Sequence, residues 1–201
     1  ISARAGMVNL ILELRALTQT SATDYTVNGV QYWTDDQLQS RLDDLRTDWR
    51  RVELLPAPEV TAGNVFKWYD YGIPSAVGKF FEEQASDSIW AVKDNTGATK
   101  TITTDYTVNY SAQMIRFVND QLGYAFWLDC RTFPLYEVAA RIWLEKAAQV
   151  SGGVDWSSDN HSIKGSQEIE HYILMAKEMR KRGGSLKVSK FVRTDEVRGG
   201  W

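Results

Sequence analysis

Few of the 201 residues are of a type that performs nucleophilic or metal chemistry. There is one cysteine, Cys130, set between Asp129 and Arg131, and there are two histidines, His161 and His171. A thiol or hydroxyl nucleophile needs a base within reach and an acid to orient that base. No Gly-x-Ser-x-Gly elbow, Walker loop or His-Glu-x-x-His pair supplies such an arrangement. A single cysteine excludes an intrachain disulfide and a Cys-x-x-Cys site, and two histidines exclude a multi-histidine metal centre. His171 lies in Glu168-Ile169-Glu170-His171, which reads as a solvated helix surface. Asp155, Asp159, Asn160 and His161 read as a polar loop, without the spacing, glycine or terminal glutamate of an EF-hand. Asp24, Asp35, Asp36, Asp43, Asp44 and Asp48 are numerous, but nothing in their spacing holds two of them in an apolar cleft, as glycoside hydrolysis requires. No catalytic group, metal or cofactor is expected.

The composition agrees with a folded chain. Apolar residues make up 43% and charged residues 24%, which argues against global disorder. The net charge of −3 excludes a polybasic protein. The charge is unevenly spread: residues 1–175 hold 15 basic and 23 acidic side chains, whereas residues 176–201 hold 8 basic and 3 acidic. An acidic body ending in a basic tail signals a partner, the plain alternative being a solvated, frayed terminus. A dedicated DNA reader is not expected, because only the tail is basic and it holds just two aromatics, Phe191 and Trp201. No apolar run approaches the ~20 residues that cross a bilayer. Ile1 to Gly6 lack the apolar run of a signal peptide, so an intracellular place of synthesis is expected.

The spacing of apolar residues predicts the elements that must position these groups. A first helix over Ala5–Leu17 would bury Val8, Ile11, Leu12 and Leu14. Asn28-Gly29 between Tyr25-Thr26-Val27 and Val30-Gln31-Tyr32-Trp33 predicts a hairpin. Thr34 and Gln37 form a capping box, with Asp35 and Asp36 in the first turn and Trp33 and Leu38 as the staple. From there Leu38, Leu42, Leu45, Trp49 and Val52 keep helical spacing, with Arg41, Asp43, Asp44, Arg46, Asp48 and Arg50 opposite, and Pro56 and Pro58 end the segment.

Between Val65 and Phe133 lie 14 of the 24 aromatic residues. Strands are expected at Val65–Tyr69, near Val77–Phe81, and at Ile89–Val92, Thr99–Thr103, Tyr106–Tyr110, Met114–Val118 and Tyr124–Leu128. Thr104–Asn109 repeats the wording of Thr23–Asn28, as a second strand entry rather than a duplicated domain. A third helix starts at Pro134, presents Val138, Ala139, Ile142, Trp143, Ala147 and Val150, and stops at Ser151-Gly152-Gly153. A loop over residues 155–160 and a fourth helix over Ile163–Arg182 follow. The expected class is α+β: an antiparallel helical bundle with an inserted antiparallel β-rich block and an extended C-terminal arm. Its parts are 1–59 (first half of the bundle, with the hairpin), 60–132 (the insertion), 133–182 (second half) and 183–201 (the arm).

Three stretches resemble the head-to-tail connector proteins of tailed bacteriophages, also called adaptor or head-completion proteins. They are Asp24–Gly29 followed by Tyr32–Gln39 and Leu42–Arg46, then Asp105–Tyr110 with Ile115-Arg116-Phe117, and Ala139–Ala148. The resemblance implies a structural virion protein rather than an enzyme. It would form a ring, commonly of twelve copies, beneath the portal at the neck of the virion. That ring would extend the DNA channel and offer a platform for tail or stopper proteins. DNA would pass without sequence-specific binding, no membrane would be involved, and the protein would be made in the host cytoplasm. An acidic body suits a channel that must not grip phosphates. The rival classes are another neck or tail-completion virion protein, or an enzyme with an unfamiliar site.

The arm is the expected docking element for the portal. Gly183-Gly184 uncouples it from helix four, and 17 residues span up to ~55 Å when extended. Leu186, Val188, Phe191, Val192 and Trp201 offer apolar contact, and Lys187, Lys190, Arg193 and Arg198 offer charge. Such a segment can add as a strand to a partner's sheet edge.

Overall fold

The computed structural model describes residues 3–21, 26–27, 30–150, 156–158, 161–163 and 165–184. They form a mixed α+β fold with four α-helices and two four-stranded antiparallel sheets, accompanied by two small hairpins. Helices α1 (Val8–Thr18), α2 (Asp35–Asp43), α3 (Leu135–Val150) and α4 (Gly165–Arg182) carry one apolar cluster. It is built on Leu14, Trp33, Leu38, Leu42, Ile142, Trp143 and Met179. The start of α2 forms as expected: the Thr34 hydroxyl accepts from the Gln37 N–H at 3.4 Å, and the Gln37 side chain accepts from the Thr34 N–H at 3.1 Å. Two orphan donors of the first turn are thereby satisfied. The expected hairpin is also present, β1 (Thr26–Val27) pairing with β2 (Val30–Gln31).

Four expectations are corrected. In α1 the buried side is Leu10, Ile11 and Leu14, preceded by Met7, while Val8 and Leu12 face solvent. The helical pattern beyond Asp43 does not continue as helix, because residues 47–53 form strand β3 (Thr47–Glu53). Pairing with β10 (Trp127–Thr132) overrides the helical spacing there: Val52 lies opposite Leu128, and the Trp49 indole donates to the Thr132 hydroxyl at 2.8 Å. Nor do Pro56 and Pro58 end structure, since both lie within β4 (Leu55–Thr61). That strand is the edge of its sheet, the place where a residue without an N–H is tolerated. Residues 156–158 and 161–163, expected as loop and helix start, form a second small hairpin, β11 (Trp156–Ser158) with β12 (His161–Ile163).

The β block therefore begins at Thr47. One sheet runs β3, β10, β6 (Ala91–Lys93), β7 (Thr99–Lys100). The other runs β4, β5 (Val65–Gly72), β9 (Met114–Phe117), β8 (Tyr106–Asn109). The stretch near Val77–Phe81 is a single 3-10 turn, Ser75–Val77, followed by an isolated bridge from Phe81 to Thr132. In β9, Ile115 and Phe117 point into the core and Arg116 out, the alternation read from the sequence. Tyr71, Phe117 and Phe126 pack edge-on and tilted with ring centroids 4.4–5.3 Å apart, favoured geometries for aromatic pairs.

Candidate functional site

Leu186, Lys187, Val188, Lys190, Phe191, Val192, Arg193, Arg198 and Trp201, the residues expected to dock, lie outside the described residues, as do Asp24, Asp155, Asp159 and Asn160. Their point of departure is described. Gly183 donates to the Met179 carbonyl at 2.9 Å, and Gly184 takes the left-handed conformation (φ +56°) that closes a helix. A Cβ at Gly183 would stand 3.2 Å from the Tyr136 Cβ, so the chain leaves α4 directly beside the first turn of α3. Tyr136 lines a groove of about 400 Å³ with Phe80, Tyr110, Glu13 and Glu83. The last turn of α4 carries Arg180, Lys181 and Arg182, where cations favour the helix dipole. Arg180 also reaches Glu137 at 3.4 Å.

The charges of α2 and of the residues after it do not form one solvated face. They clamp elements distant in the chain. Arg4 donates to both Asp43 oxygens at 2.8 and 2.7 Å, and through Nε to Glu82 at 2.7 Å. Glu82, 1% exposed, also accepts from Arg131 at 3.2 Å, and Arg131 reaches Asp48 at 3.1 Å. Asp43, with Glu82 behind it, raises the Arg4 guanidinium above its ordinary value against the opposing effect of burial. Arg41 bridges to Glu145 of α3, and Arg15 to Asp35. Beside the network, the Glu83 N–H donates to the Gly6 carbonyl at 3.0 Å, and a Cβ at Gly6 would lie 2.3 Å from the Glu83 oxygen. The N-terminal turn is thus pressed against the β block. Sequence order gave no signal for this junction, since Arg4 and Glu82 are 78 positions apart.

The groups weighed for chemistry are separated. Cys130 is fully buried in β10, and burial, with Asp129 beside it, pushes its thiol up to about 12, so it is protonated at neutral pH. His171 is exposed on α4 with its ring edge-on to Trp143 at 6.3 Å. Among the described residues no group of three or more His, Cys, Asp or Glu side chains could hold a metal ion. Nor is any described helix long and apolar enough to cross a membrane.

The surface is more telling than any cleft. The β4–β5 hairpin runs on past β9, which pairs only with Asp70 to Gly72. Val60 and Phe66, register partners near its end, are 58% and 53% exposed. Val118, Leu122 and Tyr124, in and around the turn that leaves β9, are also exposed. Trp68 packs against Gly123 in that turn and beside Phe66. This apolar end went unread in the sequence because β4 itself was unread. Comparison with family models, with curated proteins and with solved structures finds no match to this chain.

Proposed function

We propose that the chain is a structural virion protein, a head-to-tail adaptor that forms a ring beneath a portal, extends the DNA channel and carries tail or stopper proteins. The observation that carries the reading is the path of the chain. It leaves the helices at Thr47 and returns to them at Thr132, and these two residues are register partners on neighbouring strands. A β block whose two ends meet suits an insertion on a helical unit, the organisation the resemblance implies. Supporting it are the acidic balance of residues 1–175 and the exposed apolar end of the β4–β5 hairpin, a surface suited to contact between neighbouring copies. In this reading the helices are the bundle, residues 183–201 are the arm that engages the portal, and no step of catalysis is involved.

Truncation tests the docking part of the reading. Among the described residues the last member of either apolar core is Met179. On removal of residues 185–201, stability should stay within about 1 kcal/mol of the full chain. Attachment to portal-bearing heads should be lost. Normal attachment by the truncated protein would move the contact to the helices.

A further inference from the structure

The sheets carry two register shifts, one in β4–β5 between Ala57 and Glu59 and one between β3 and β10, and the adaptor reading uses neither. Between the Val52–Leu128 and Trp49–Cys130 pairs, β3 holds one residue more than β10. The extra residue makes a bulge of Arg50 and Arg51, opposite Asp129. Arg51 sits at φ +54°, the left-handed region that strands reserve for glycine at such bulges. Its N–H donates to Asp129 Oδ1 at 2.7 Å. Asp129 is 6% exposed, and its other oxygen accepts from Lys93 at 2.7 Å and lies 3.6 Å from Arg50. The Arg51 guanidinium lies over the Trp127 ring, 5.3 Å from its centre, with no carboxylate partner among the described residues. A strained non-glycine residue, pinned by a buried carboxylate, is how a fold holds a side chain where it would not go unaided.

These residues line a groove of about 500 Å³. The other wall is the turn Asp94-Asn95-Thr96-Gly97. That turn is fixed by Asp94, which accepts from the Thr96 N–H and hydroxyl and from the Ala98 N–H. Lys100 neutralises Asp94 at 3.0 Å. Three cations thus face the groove against one buried carboxylate, in a body that is otherwise acidic. Arg50 is 62% exposed, which leaves most of its donors free. Two guanidinium groups and an ammonium lining one concavity supply the kind of donors that a phosphate group takes.

We propose that this groove binds a phosphate group, held by Arg50, Arg51 and Lys93 and flanked by Trp127. The phosphate can belong to a small molecule or to a nucleic-acid backbone, and both present the same oxyanion. The proposal is independent of the adaptor reading and is tested on the isolated full chain. The probes are inorganic phosphate, adenosine 5′-monophosphate and an oligothymidylate of about 16 nucleotides. The readout is local, the Trp127 indole and the Asn95 and Gly97 amides by NMR, because the basic C-terminal residues would add unspecific binding elsewhere. Saturable shifts at these positions are expected with at least one probe. Response to the oligonucleotide alone, weakening as salt rises, assigns the phosphate to a polynucleotide. Response to the mononucleotide or phosphate assigns it to a small ligand.

Arg50→Gln with Arg51→Gly should weaken the binding about tenfold or more, two charged contacts being lost. Glycine suits the left-handed position, so this variant should melt no lower than the parent. Arg116→Gln with Arg141→Gln removes the same charge at residues that do not line the groove and should leave binding within about twofold. No shift with any of the three probes overturns the proposal. So does an equal loss in both double variants, which would mean diffuse electrostatics and no site.

Discussion

The two cores of this molecule are made differently. In the helical cluster three of sixteen buried residues are aromatic: Trp33, Phe133 and Trp143. In the β cluster six of thirteen are: Tyr71, Phe81, Trp90, Tyr106, Phe117 and Phe126. The helical cluster is assembled from elements with local start signals, and its small residues Ala139, Ala140 and Ala176 let α3 and α4 approach closely. The β cluster depends on pairings between residues far apart, such as Thr47 with Thr132. Between the two cores lies the ionic junction of Arg4, Asp43, Glu82 and Arg131. Each half thus has its own apolar core, and the halves are joined by charge, by continuous strands and by Phe80 packed against Tyr136.

The largest effects should come from truncating either core. Phe117→Ala and Trp143→Ala should each cost about 3–5 kcal/mol. Trp143 also loses its indole hydrogen bond to the Leu17 carbonyl at 3.2 Å. Denaturant melts followed by helix signal and by aromatic near-ultraviolet signal should coincide in both variants. Non-coincident curves for Phe117→Ala alone would show that the β block unfolds by itself.

Glu82→Ala bears directly on the junction. It removes the carboxylate that Arg4 and Arg131 share and leaves them only Asp43 and Asp48, at a cost of about 1.5–3 kcal/mol. The same two probes, coincident in the parent, should separate in this variant. Coincidence in both proteins would place the coupling in the strands instead.

Thr34→Ala is a smaller change, confined to the helical half. Loss of the cap on α2 should cost about 1 kcal/mol. Exchange protection should fall in α2 and stay unchanged in β9. A fall in both would mean that α2 supports the β block.

Acid separates the halves more gently. Three carboxyls of the β block sit below the usual carboxylate range. Asp94 is held there by the Thr96 hydroxyl and Lys100, and Asp120 by the Trp68 and Leu122 N–H groups. For Asp129 burial opposes the shift, and Lys93 and the Arg51 N–H outweigh it. A depressed folded pKa gives stability that is present above the unfolded value, near 3.9, and lost as pH falls through the folded value. The turns at residues 94–98 and 119–123 should therefore loosen below about pH 4. Exchange protection of the Ala98 and Leu122 amides, compared at pH 5 and pH 2, checks this: it should fall, and unchanged protection would contradict it.

Legibility follows the same division. The α2 cap, the Asn28-Gly29 hairpin and the alternation of Ile115 and Phe117 were readable because each signal lies within a few residues of its effect. Trp49 and Val52 misled, since their spacing from Leu45 suits a helix and their strand partners Cys130 and Leu128 lie some eighty positions on. Pro56 and Pro58 masked β4 because proline excludes a central strand but permits an edge. The functional reading was legible only as a resemblance, and the basic groove was not legible at all. Arg50 fits the solvated side of a helix in the sequence, whereas in the fold the bulge at Arg50 and Arg51 brings both to Asp129.

Imaging of assembled particles tests the central claim most directly. The account predicts a closed ring of copies beneath the portal, commonly twelve, with an open axis and the β4–β5 hairpin of one copy against its neighbour. A single copy per particle, an asymmetric placement or a ring with a closed axis would contradict it.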